Sequence, residues 1–326
     1  MSHVIEVCDV GARYGLHPSW QGLQDFDISF HLVEADSEEA ERLRTKFSGP
    51  RGHNSFSIHR AFLGLDGGEG SFYQLSNRAM SGSFMRKRSR LYSGERAVQT
   101  GVEKICNLRS QSVDKLLNGV AIDFIKLDTE GSELQILTGA ENMLKASVIG
   151  IRAEVSINEV FDGAPTYTEV NSFVRDRGFD ILNIDYTGKG DLQHSFVSQE
   201  SRYGILNSTD VVWLHRDFIR FPFVPPSDIG SLIRTLKAVV FVFSNHSADL
   251  GLALLSESRH AISRFLDDQS VASLLMPLSR RVEHHLYSLK WVPGQSIEQH
   301  ARWFKETFFR EMRTGTNFMS ALDLNP

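Results

Sequence analysis

The sequence predicts an α/β protein built on a doubly wound, mostly parallel sheet of seven strands, followed by a C-terminal α-helical extension. Three observations support this fold class. Strand-like and helix-like segments alternate over the first two-thirds of the chain, several apolar runs end in turns rich in glycine and acids, and only helical periodicity remains after residue 216. Such alternation is typical of parallel sheets whose strands are connected by helices.

Apolar runs and turn residues place the elements in order along the chain. The predicted strands are residues 4–8, 28–34, 55–63, 121–127, 147–155, 179–185 and 207–215. The predicted helices are residues 18–25, 37–47, 109–117, 132–145 and 166–177. Because no helix signal separates the last two strands, they are predicted to form an antiparallel edge pair. Residues 65–75 predict a hairpin around Gly67-Gly68.

The proline-rich residues 221–226 (FPFVPP) predict a boundary between two domains, because this composition cannot continue a helix. Residues 1–216 are predicted to form the sheet domain, and residues 217–326 a helical C-terminal extension or domain. Apolar residues repeat at helical spacing beyond the boundary and predict about four helices over residues 226–313. These helices pack on each other or on a partner, so the extension is a candidate surface for a homo-oligomer.

Composition excludes some classes of function. The chain has 326 residues, of which 41% are hydrophobic and 23% are charged, with a formal net charge of −5. These values are typical of globular proteins, and the negative charge argues against binding of nucleic-acid phosphates. The longest apolar stretch, residues 238–243, is too short to span a bilayer, and the N-terminal residues show no signal-peptide pattern. We therefore expect a cytoplasmic protein with no nucleic-acid or membrane partner.

The basic run at residues 86–90 (RKRSR) is the local exception to this acidic balance. A solvated surface loop is the simpler interpretation. The alternative is a segment that attracts an anionic substrate. The sequence leaves both interpretations open.

The first strand and its turn are typical of nucleoside binding. The strand at residues 4–8 leads into Asp9, Gly11 and Gly15, and the second strand ends in Glu34. Glycine allows a tight turn close to a ligand, and an acid at the end of the second strand can bind both hydroxyls of a ribose. The dinucleotide pattern GxGxxG is absent, because Arg13 follows Gly11 by two residues.

A second turn of this kind follows the strand at residues 121–127. There the apolar run leads into Asp128, Glu130 and Gly131, and then into a helical pattern. Ligands of open α/β sheets bind beyond the carboxyl ends of the strands. Two acids and a glycine at such an end therefore predict a functional site.

These segments together resemble a known family. The run 123–131 (DFIKLDTEG) with Glu133 closely resembles the signature of FkbM-type methyltransferases. Residues 9–12 (DVGA), the strand that ends in Glu34, and residues 151–156 (IRAEVS) are similar to the family's other motifs, although Ala35 stands where proline is more usual. The resemblance covers roughly residues 4–215. It implies a Rossmann-like class I methyltransferase fold, S-adenosylmethionine as cofactor, and O-methylation of a small-molecule or glycan substrate, such as a sugar, glycan or natural-product hydroxyl.

Four residues of the first two strands are candidates for cofactor binding under this resemblance. Glu34 suits the ribose diol, with a surface carboxylate as the simpler alternative. Gly11 and Gly15 would let the turn pass close to the methionine moiety. Asp9 would hold the ammonium group of that moiety, directly or through a water, unless it is only a turn or N-cap acid.

Three further residues complete the predicted cofactor site. Ala61 and Phe62 lie near the end of the third strand, where the adenine is expected, although Phe62 is equally suited to the core. Asp128 lies at the mouth of the fourth strand, where its charge would favour the sulfonium or the ammonium of the cofactor. The cofactor site is thus predicted to extend along the carboxyl ends of four strands.

The acceptor side needs a general base, since a sugar hydroxyl is a poor nucleophile. The candidates for the catalytic base are Glu154, Asp128 and His59, and we favour Glu154 because a buried acid at a strand end is costly unless it is used or paired. His59 lies within a strand, where a structural histidine is common. Glu130 and Glu133 are candidates for substrate binding, with helix capping as the alternative for Glu133.

A divalent metal ion is not favoured by the sequence. Asp128 and Glu154 lie on neighbouring predicted strands and could hold one, but no full set of ligands is evident. The predicted cofactor is therefore S-adenosylmethionine alone, and no residue is assigned as a metal ligand.

Two other classes of function remain open at this stage. In the first, the sheet is a non-catalytic module and the helical extension binds a partner protein. The presence of both Glu34 and Asp128 disfavours that interpretation. In the second, the chain is a dinucleotide-dependent oxidoreductase, which the missing GxGxxG pattern disfavours.

Overall fold

The structure is a computed structural model that describes residues 2–21, 23–49, 52–87, 100–185 and 207–288, without the side chains of residues 281–288. The chain divides into two compact units. One contains residues 6–21 and 28–216 and carries the sheet. The other contains the described residues 2–5, 23–27 and 217–288 and is mostly helical.

The described strands form one large and one small sheet. They are β1 (Ile5–Val10), β2 (Ile28–Glu34), β3 (Ser55–Arg60), β4 (Glu69–Leu75), β5 (Val102–Arg109), β6 (Phe124–Leu127), β7 (Gly150–Ser156), β8 (Phe179–Asp185) and β9 (Ser208–His215). The seven-stranded sheet has the order β3-β2-β1-β6-β7-β9-β8, and β4 pairs with β5 separately. Strands β2 and β3, β1 and β6, and β6 and β7 pair in parallel, whereas β9 is antiparallel to both β7 and β8.

Short helices connect and flank these strands. They are α1 (Pro18–Gln21), α2 (Ser37–Lys46), a 3-10 turn (Arg78–Met80), α3 (Val113–Leu116), α4 (Glu133–Thr138), α5 (Glu141–Ala146), α6 (Tyr167–Asp176) and α7 (Arg216–Ile219). Helix α2 begins directly after β2, because the Asp36 carboxylate accepts hydrogen bonds from the amides of Glu38 and Glu39. This N-cap fixes the turn that follows Glu34.

Strand β6 is the centre of the sheet. All four of its residues are buried, as expected for a parallel strand covered on both faces. Trp20 of α1 stacks on Phe124 with a centroid distance of 6.2 Å, whereas Ile125 and Leu127 belong to the hydrophobic core with Ile151 of β7. Lys126 is therefore a charged residue inside an otherwise apolar strand, and its partners lie in the site described below.

The helical unit contains four helices within the described residues 229–288. They are α8 (Ile229–Ser244), α9 (Ala248–Glu257), α10 (Arg259–Arg264) and α11 (Gln269–Ser288). Asp228 caps α8 by accepting a hydrogen bond from the amide of Ser231 at 2.9 Å. The ammonium of Lys237 donates to the carbonyl of Val4 at 2.7 Å, which joins the N-terminal residues to this unit. No helix among the described residues is long and apolar enough to cross a membrane.

The predicted fold class is confirmed, and so is the antiparallel pairing of the last two strands. The predicted hairpin at residues 65–75 is wrong, because β4 pairs with β5 some thirty residues later along the chain. The predicted helix 132–145 is divided at Gly139, which is the C-cap of α4 and whose amide donates to the carbonyl of Gln135. The four helices confirm the helical character of the extension up to residue 288. Its standing as a separate domain stays a prediction.

Candidate functional site

A large cavity opens at the carboxyl ends of β1, β2, β3 and β6. Its volume of about 170 Å³ is more than ten times what a single water requires, so it can hold an organic ligand. Backbone turns and a few polar side chains make its walls. The main lining residues are Gly11, Tyr14, Glu34, Ala61, Phe62, Phe72, Arg78, Ser81, Gly82, Ser83, Asp128 and Thr129.

Gly11 determines the shape of the floor of the large cavity. Its φ is +73°, and a Cβ at this position would lie 1.9 Å from the carbonyl oxygen of Asp128. The amide of Asp128 donates to the carbonyl of Val10 at 3.2 Å, and the amide of Gly11 donates to the carbonyl of Val33 at 3.0 Å. The turns after β1 and β6 therefore touch backbone to backbone, which only glycine allows.

Glu34 forms the wall at the end of β2. Its side chain is nearly buried and accepts a hydrogen bond from the amide of Asp36 at 2.9 Å. Burial raises the pKa of Glu34, while the Asp36 amide and the charge of Arg13 oppose this change. The carboxyl group thus has a fixed position at the cavity and keeps one oxygen that no neighbouring amide uses in the described structure.

A chain of three charges crosses the sheet under the large cavity. The ammonium of Lys126 lies 3.3 Å from Oδ1 of Asp9 and 3.6 Å from Oδ2 of Asp128. Burial raises the pKa of Asp9, and Lys126 opposes this change. Burial alone would lower the pKa of Lys126, but Asp9 and Asp128 together raise it. Since Asp9 is fully buried and the Asp128 side chain is 41% exposed, the carboxylate at the Asp128 end is the one presented to the cavity.

A small cavity lies beside the large one, at the carboxyl ends of β6 and β7. Glu130, Glu154 and Arg86 line it together with Ser156, Val160, Phe161 and Ser208. Burial, with the charge of Asp128, raises the pKa of Glu154 to about 7, although Oε1 accepts a hydrogen bond from the Ser208 hydroxyl at 2.7 Å. Burial raises the pKa of Glu130 to about 8, against the opposing charge of Arg86. Two carboxyl groups that titrate near neutral pH therefore share one cavity.

Residues 81–87, which we call the bridging segment, border both cavities. Its first residues line the large cavity and Arg86 lines the small one. Backbone hydrogen bonds hold its far end, from the amide of Lys87 to Val160 and from the amide of Asp162 to Met85, both at 2.9 Å. The guanidinium of Arg86 lies 5.3 Å from the ring centroid of Phe161. The two cavities are thus bordered by one continuous segment of the chain.

Comparison with protein families identifies the family to which the chain belongs. The model for the methyltransferase FkbM domain matches residues 9–181, which is just over half of the chain and includes both cavity floors. The chain belongs to the FkbM methyltransferase family. This confirms the resemblance predicted from the sequence, and it supports methyl transfer dependent on S-adenosylmethionine as the activity.

Solved structures with some similarity to this FkbM-family chain are also methyltransferases. Magnesium protoporphyrin IX methyltransferase from Synechocystis PCC 6803, with bound S-adenosylmethionine, is 8% identical with a TM-score of 0.34, over 65% of this chain and 70% of that one. A TehB-like methyltransferase from Corynebacterium glutamicum is 9% identical with a TM-score of 0.29, over 65% and 80%. The glycopeptide N-methyltransferase MtfA, complexed with sinefungin, is 7% identical with a TM-score of 0.29, over 65% and 80%. A search of curated proteins found no match.

The structure of this FkbM-family protein brings together most of the residues predicted for the site. Gly11, Glu34, Ala61, Phe62 and Asp128 line the large cavity. Phe62 packs edge-to-face on Phe72 at 6.2 Å, and both rings face that cavity. Glu130 and Glu154 line the small cavity. The roles assigned to these residues stay predictions.

Four predicted residues lie elsewhere in the described structure. Asp9 has no exposed surface, so a direct contact with a ligand would require its pairing with Lys126 to change. Gly15, with φ +111°, packs against Lys46 of α2 and lines neither cavity. His59 lines neither cavity, and its Nε2 lies 3.2 Å from Nδ1 of His31. Burial lowers the pKa of His59, which fits a structural histidine better than a base.

Glu133 is the fourth of these residues, and its contacts are those of a turn-stabilising acid. Its Oε1 accepts hydrogen bonds from the amide and the hydroxyl of Thr129, at 3.0 and 2.8 Å, and from the amide of Gly131 at 3.4 Å. The side chain is nearly buried and lines neither cavity. Glu133 thus holds the turn that carries Glu130, which favours its interpretation as a capping residue.

Sequence reasoning missed two residues of the site. Lys126 carries a signal that could have identified it, since a charge inside an apolar strand needs a partner. For Arg86 the sequence leaves open a solvated loop or a segment that attracts an anionic substrate, and it does not predict that this side chain borders the small cavity. No pattern within the basic run marks Arg86 apart from its neighbours. Among the residues that the structure describes, no group of three or more His, Cys, Asp or Glu could hold a metal ion.

Proposed function

We propose that this protein is an S-adenosylmethionine-dependent O-methyltransferase that acts on a hydroxyl group of a sugar, glycan or natural product. The observation that carries the proposal is the adjacency of the two cavities. Asp128 lines the large cavity, and its charge acts on both carboxyl groups of the small cavity. A cationic methyl donor in the first cavity would therefore lie next to groups that can bind and deprotonate a hydroxyl in the second.

The residues of the large cavity fit S-adenosylmethionine. Glu34 offers a nearly buried carboxyl group for the ribose hydroxyls, at the strand end where such an acid is expected. Gly11 lets the turn after β1 meet the turn after β6, so that residues of both turns line the cavity. Asp128 offers a carboxylate for the cationic part of the cofactor, and Phe62 with Ala61 offers an apolar surface for the adenine. The ribose, the cationic part and the adenine of the cofactor thus each have a neighbouring residue of suitable chemistry.

The residues of the small cavity fit a hydroxyl acceptor. When bound, S-adenosylmethionine supplies a methyl group on a positively charged sulfur, so that a new oxygen–carbon bond forms as the carbon–sulfur bond breaks and leaves its electron pair on sulfur. Glu154 accepts the hydroxyl proton at a carboxylate oxygen, as Ser208 holds the other oxygen in place. General-base assistance of this kind contributes roughly 10²–10⁴ in rate. Positioning of the acceptor hydroxyl next to the donor would contribute further.

Binding measurements test the cofactor assignment. We expect calorimetry to show one S-adenosylmethionine bound per chain and no binding of NAD, which would also exclude the oxidoreductase interpretation. Binding of NAD in preference to S-adenosylmethionine would overturn the proposal.

Product analysis tests the acceptor class. With donor labelled in its methyl group and a panel of sugars, glycans and hydroxylated natural products, the label should appear in a methyl ether that survives treatment with mild base. A methyl ester would be cleaved by the same treatment. Label recovered only in an ester, or only on an amine nitrogen, would contradict O-methylation of a hydroxyl.

A further inference from the structure

Two carboxyl groups of the small cavity come from different strands but face the same space. Glu154 lies on β7, and Glu130 lies in the turn after β6. The charge of each acid acts in the environment of the other, since Glu154 is one of the groups that raise the pKa of Glu130. Acids placed in this way do not ionise independently, because the second negative charge is opposed by the first.

The position of Glu130 is imposed by the fold. Its φ of 56° is in the left-handed region, which is unfavourable for a residue other than glycine. Glu133 holds the turn from one side by its hydrogen bonds to Thr129 and Gly131. Gly82 of the bridging segment closes on the other side, where a Cβ would lie 2.9 Å from the Cβ of Glu130. Strain that is enforced from two sides is typical of functional positions.

The charged groups around the pair come from four elements. Arg86 of the bridging segment acts on Glu130, and Asp210 of β9 acts on Glu154. Asp128 at the end of β6 and Glu133 of α4 act on both. Among the described residues, three acids and one arginine therefore act on the two carboxyl groups, while Lys126 pairs with Asp128 and Arg152 pairs with Asp210. The surroundings favour a proton on the pair when the large cavity holds no cation.

We propose that Glu130 and Glu154 act as one proton-holding unit, which releases its proton when the cationic methyl donor binds beside Asp128 and is then ready to take the proton of the acceptor hydroxyl. The inference rests on the proposed function, because it needs a sulfonium in the large cavity. It goes further in assigning Glu130 to the base and in making the base dependent on the donor.

The physical reason is the change of charge beside Asp128. A positive charge within about 4–6 Å of a carboxylate typically lowers its pKa by 1–3 units. The donor brings such a charge, and its demethylated product, S-adenosylhomocysteine, does not. Because the hydroxyl proton passes to a carboxylate oxygen of the pair as the methyl group leaves the sulfur, the pair is protonated again when the neutral product remains. The cycle therefore needs no other proton acceptor at the site.

Calorimetry with donor and product tests the inference without knowledge of the acceptor. Binding is measured in two buffers of different ionisation enthalpy, at a pH between the two values of about 7 and about 8. We expect S-adenosylmethionine to release on the order of 0.5–1 proton per chain more than S-adenosylhomocysteine does. The two ligands share the ribose, the adenine and the amino acid end, so the difference reports the sulfonium charge.

The pH dependence of the two affinities is the second measurement. Release of a proton on binding means that affinity rises with pH. The ratio of donor to product affinity should therefore rise by roughly tenfold for each unit by which the donor lowers the pKa of the pair. The rise should occur across the pH range in which Glu130 and Glu154 titrate. A ratio that is independent of pH in the unaltered protein would overturn the proposal.

A double variant tests whether Glu130 and Glu154 are the groups that release the proton. The E130Q/E154Q protein should bind S-adenosylhomocysteine as before and lose the difference in proton release, whereas Glu41→Gln on the exposed face of α2 should keep it. A retained difference in the double variant would assign the proton to other residues and overturn the inference. If no S-adenosylmethionine binds to the unaltered protein, the proposed function itself fails. If it binds with the same proton release as the product, only the present inference fails.

Discussion

The large and the small cavity of the site are built on different principles. The large cavity owes its shape to backbone, since the turns after β1 and β6 touch at Gly11 and Asp128. The small cavity owes its properties to side chains, namely two carboxyl groups with raised pKa values and the arginine beside them. Backbone contacts keep their geometry at any pH, whereas the carboxyl groups change charge close to neutrality.

This difference separates two tasks of a methyltransferase. The backbone-built cavity suits the ribose, adenine and amino acid end that donor and product share, and the affinity for these shared parts should depend little on titration. The small cavity suits the proton transfer, which needs a group that is protonated in one state and ionised in the next. Asp128 belongs to the first cavity and influences the second, so it is the residue through which a bound cation would affect the acids.

The strongest test of the backbone-built cavity is the substitution Gly11→Ala. A Cβ there would lie 1.9 Å from a main-chain oxygen that cannot move away alone. We expect the free energy of unfolding in urea to fall by more than about 3 kcal/mol, or the protein not to fold at all.

The matched control is Gly119→Ala. Gly119 also has a positive φ, of +84°, but a Cβ there would meet nothing within 4 Å. Only the left-handed strain remains, so the loss should be about 1 kcal/mol. Equal losses of unfolding free energy in the two variants would show that the contact between the two turns is not what excludes a side chain at Gly11.

The sequence predicted the large cavity better than the small one, and the reason lies in which interactions are local. The order of strands and the turns at Gly11 and Asp128 follow from short apolar runs and their terminal residues, which can be read within about ten positions. Glu34 was predicted in the same way, from its place at the end of β2. These positions all line the cavity in the structure.

The interactions that the sequence did not predict connect distant segments. Arg86 borders the small cavity because its backbone pairs with Phe161, 75 positions further along the chain. Strand β4 pairs with β5 across a long connection, whereas local glycines suggested a hairpin. Glu154 and Ser208 meet because β7 and β9 are neighbours. Pairings of this kind depend on tertiary contacts, which local patterns do not contain.

Glu34 provides a test of the cavity that does not change the fold. Replacement by alanine removes the carboxyl group proposed to bind the ribose, and hydrogen bonds to a charged group contribute about 1.5–3 kcal/mol. We expect the affinity for S-adenosylmethionine and for S-adenosylhomocysteine to fall alike, by roughly ten- to a hundredfold. The ratio of the two affinities should stay unchanged, since both ligands carry the same ribose.

The control for this measurement is Glu41→Ala, which removes an acid whose side chain is 69% exposed and paired with Arg44 on α2. It should leave both affinities unchanged. A loss of affinity for only one of the two ligands in Glu34→Ala would mean that Glu34 responds to the sulfonium charge and not to the ribose. The proposed division of tasks between the two cavities would then be wrong.

The smallest expected effect concerns the cation of the small cavity. Arg86 opposes the rise in the pKa of Glu130, because a positive charge favours the ionised carboxylate. Arg86→Met keeps much of the side-chain volume and removes the charge, so the pKa of Glu130 should rise further. A higher pKa requires a higher pH for ionisation, and the rise in the ratio of donor to product affinity should therefore move upward by about 0.5–1 pH unit.

Lys87→Met is the matched control, since the neighbouring ammonium pairs with Glu159. A shift of the same size in both variants, or a downward shift in Arg86→Met, would show that the guanidinium does not act on the carboxyl pair, and the small cavity would then titrate through its acids alone.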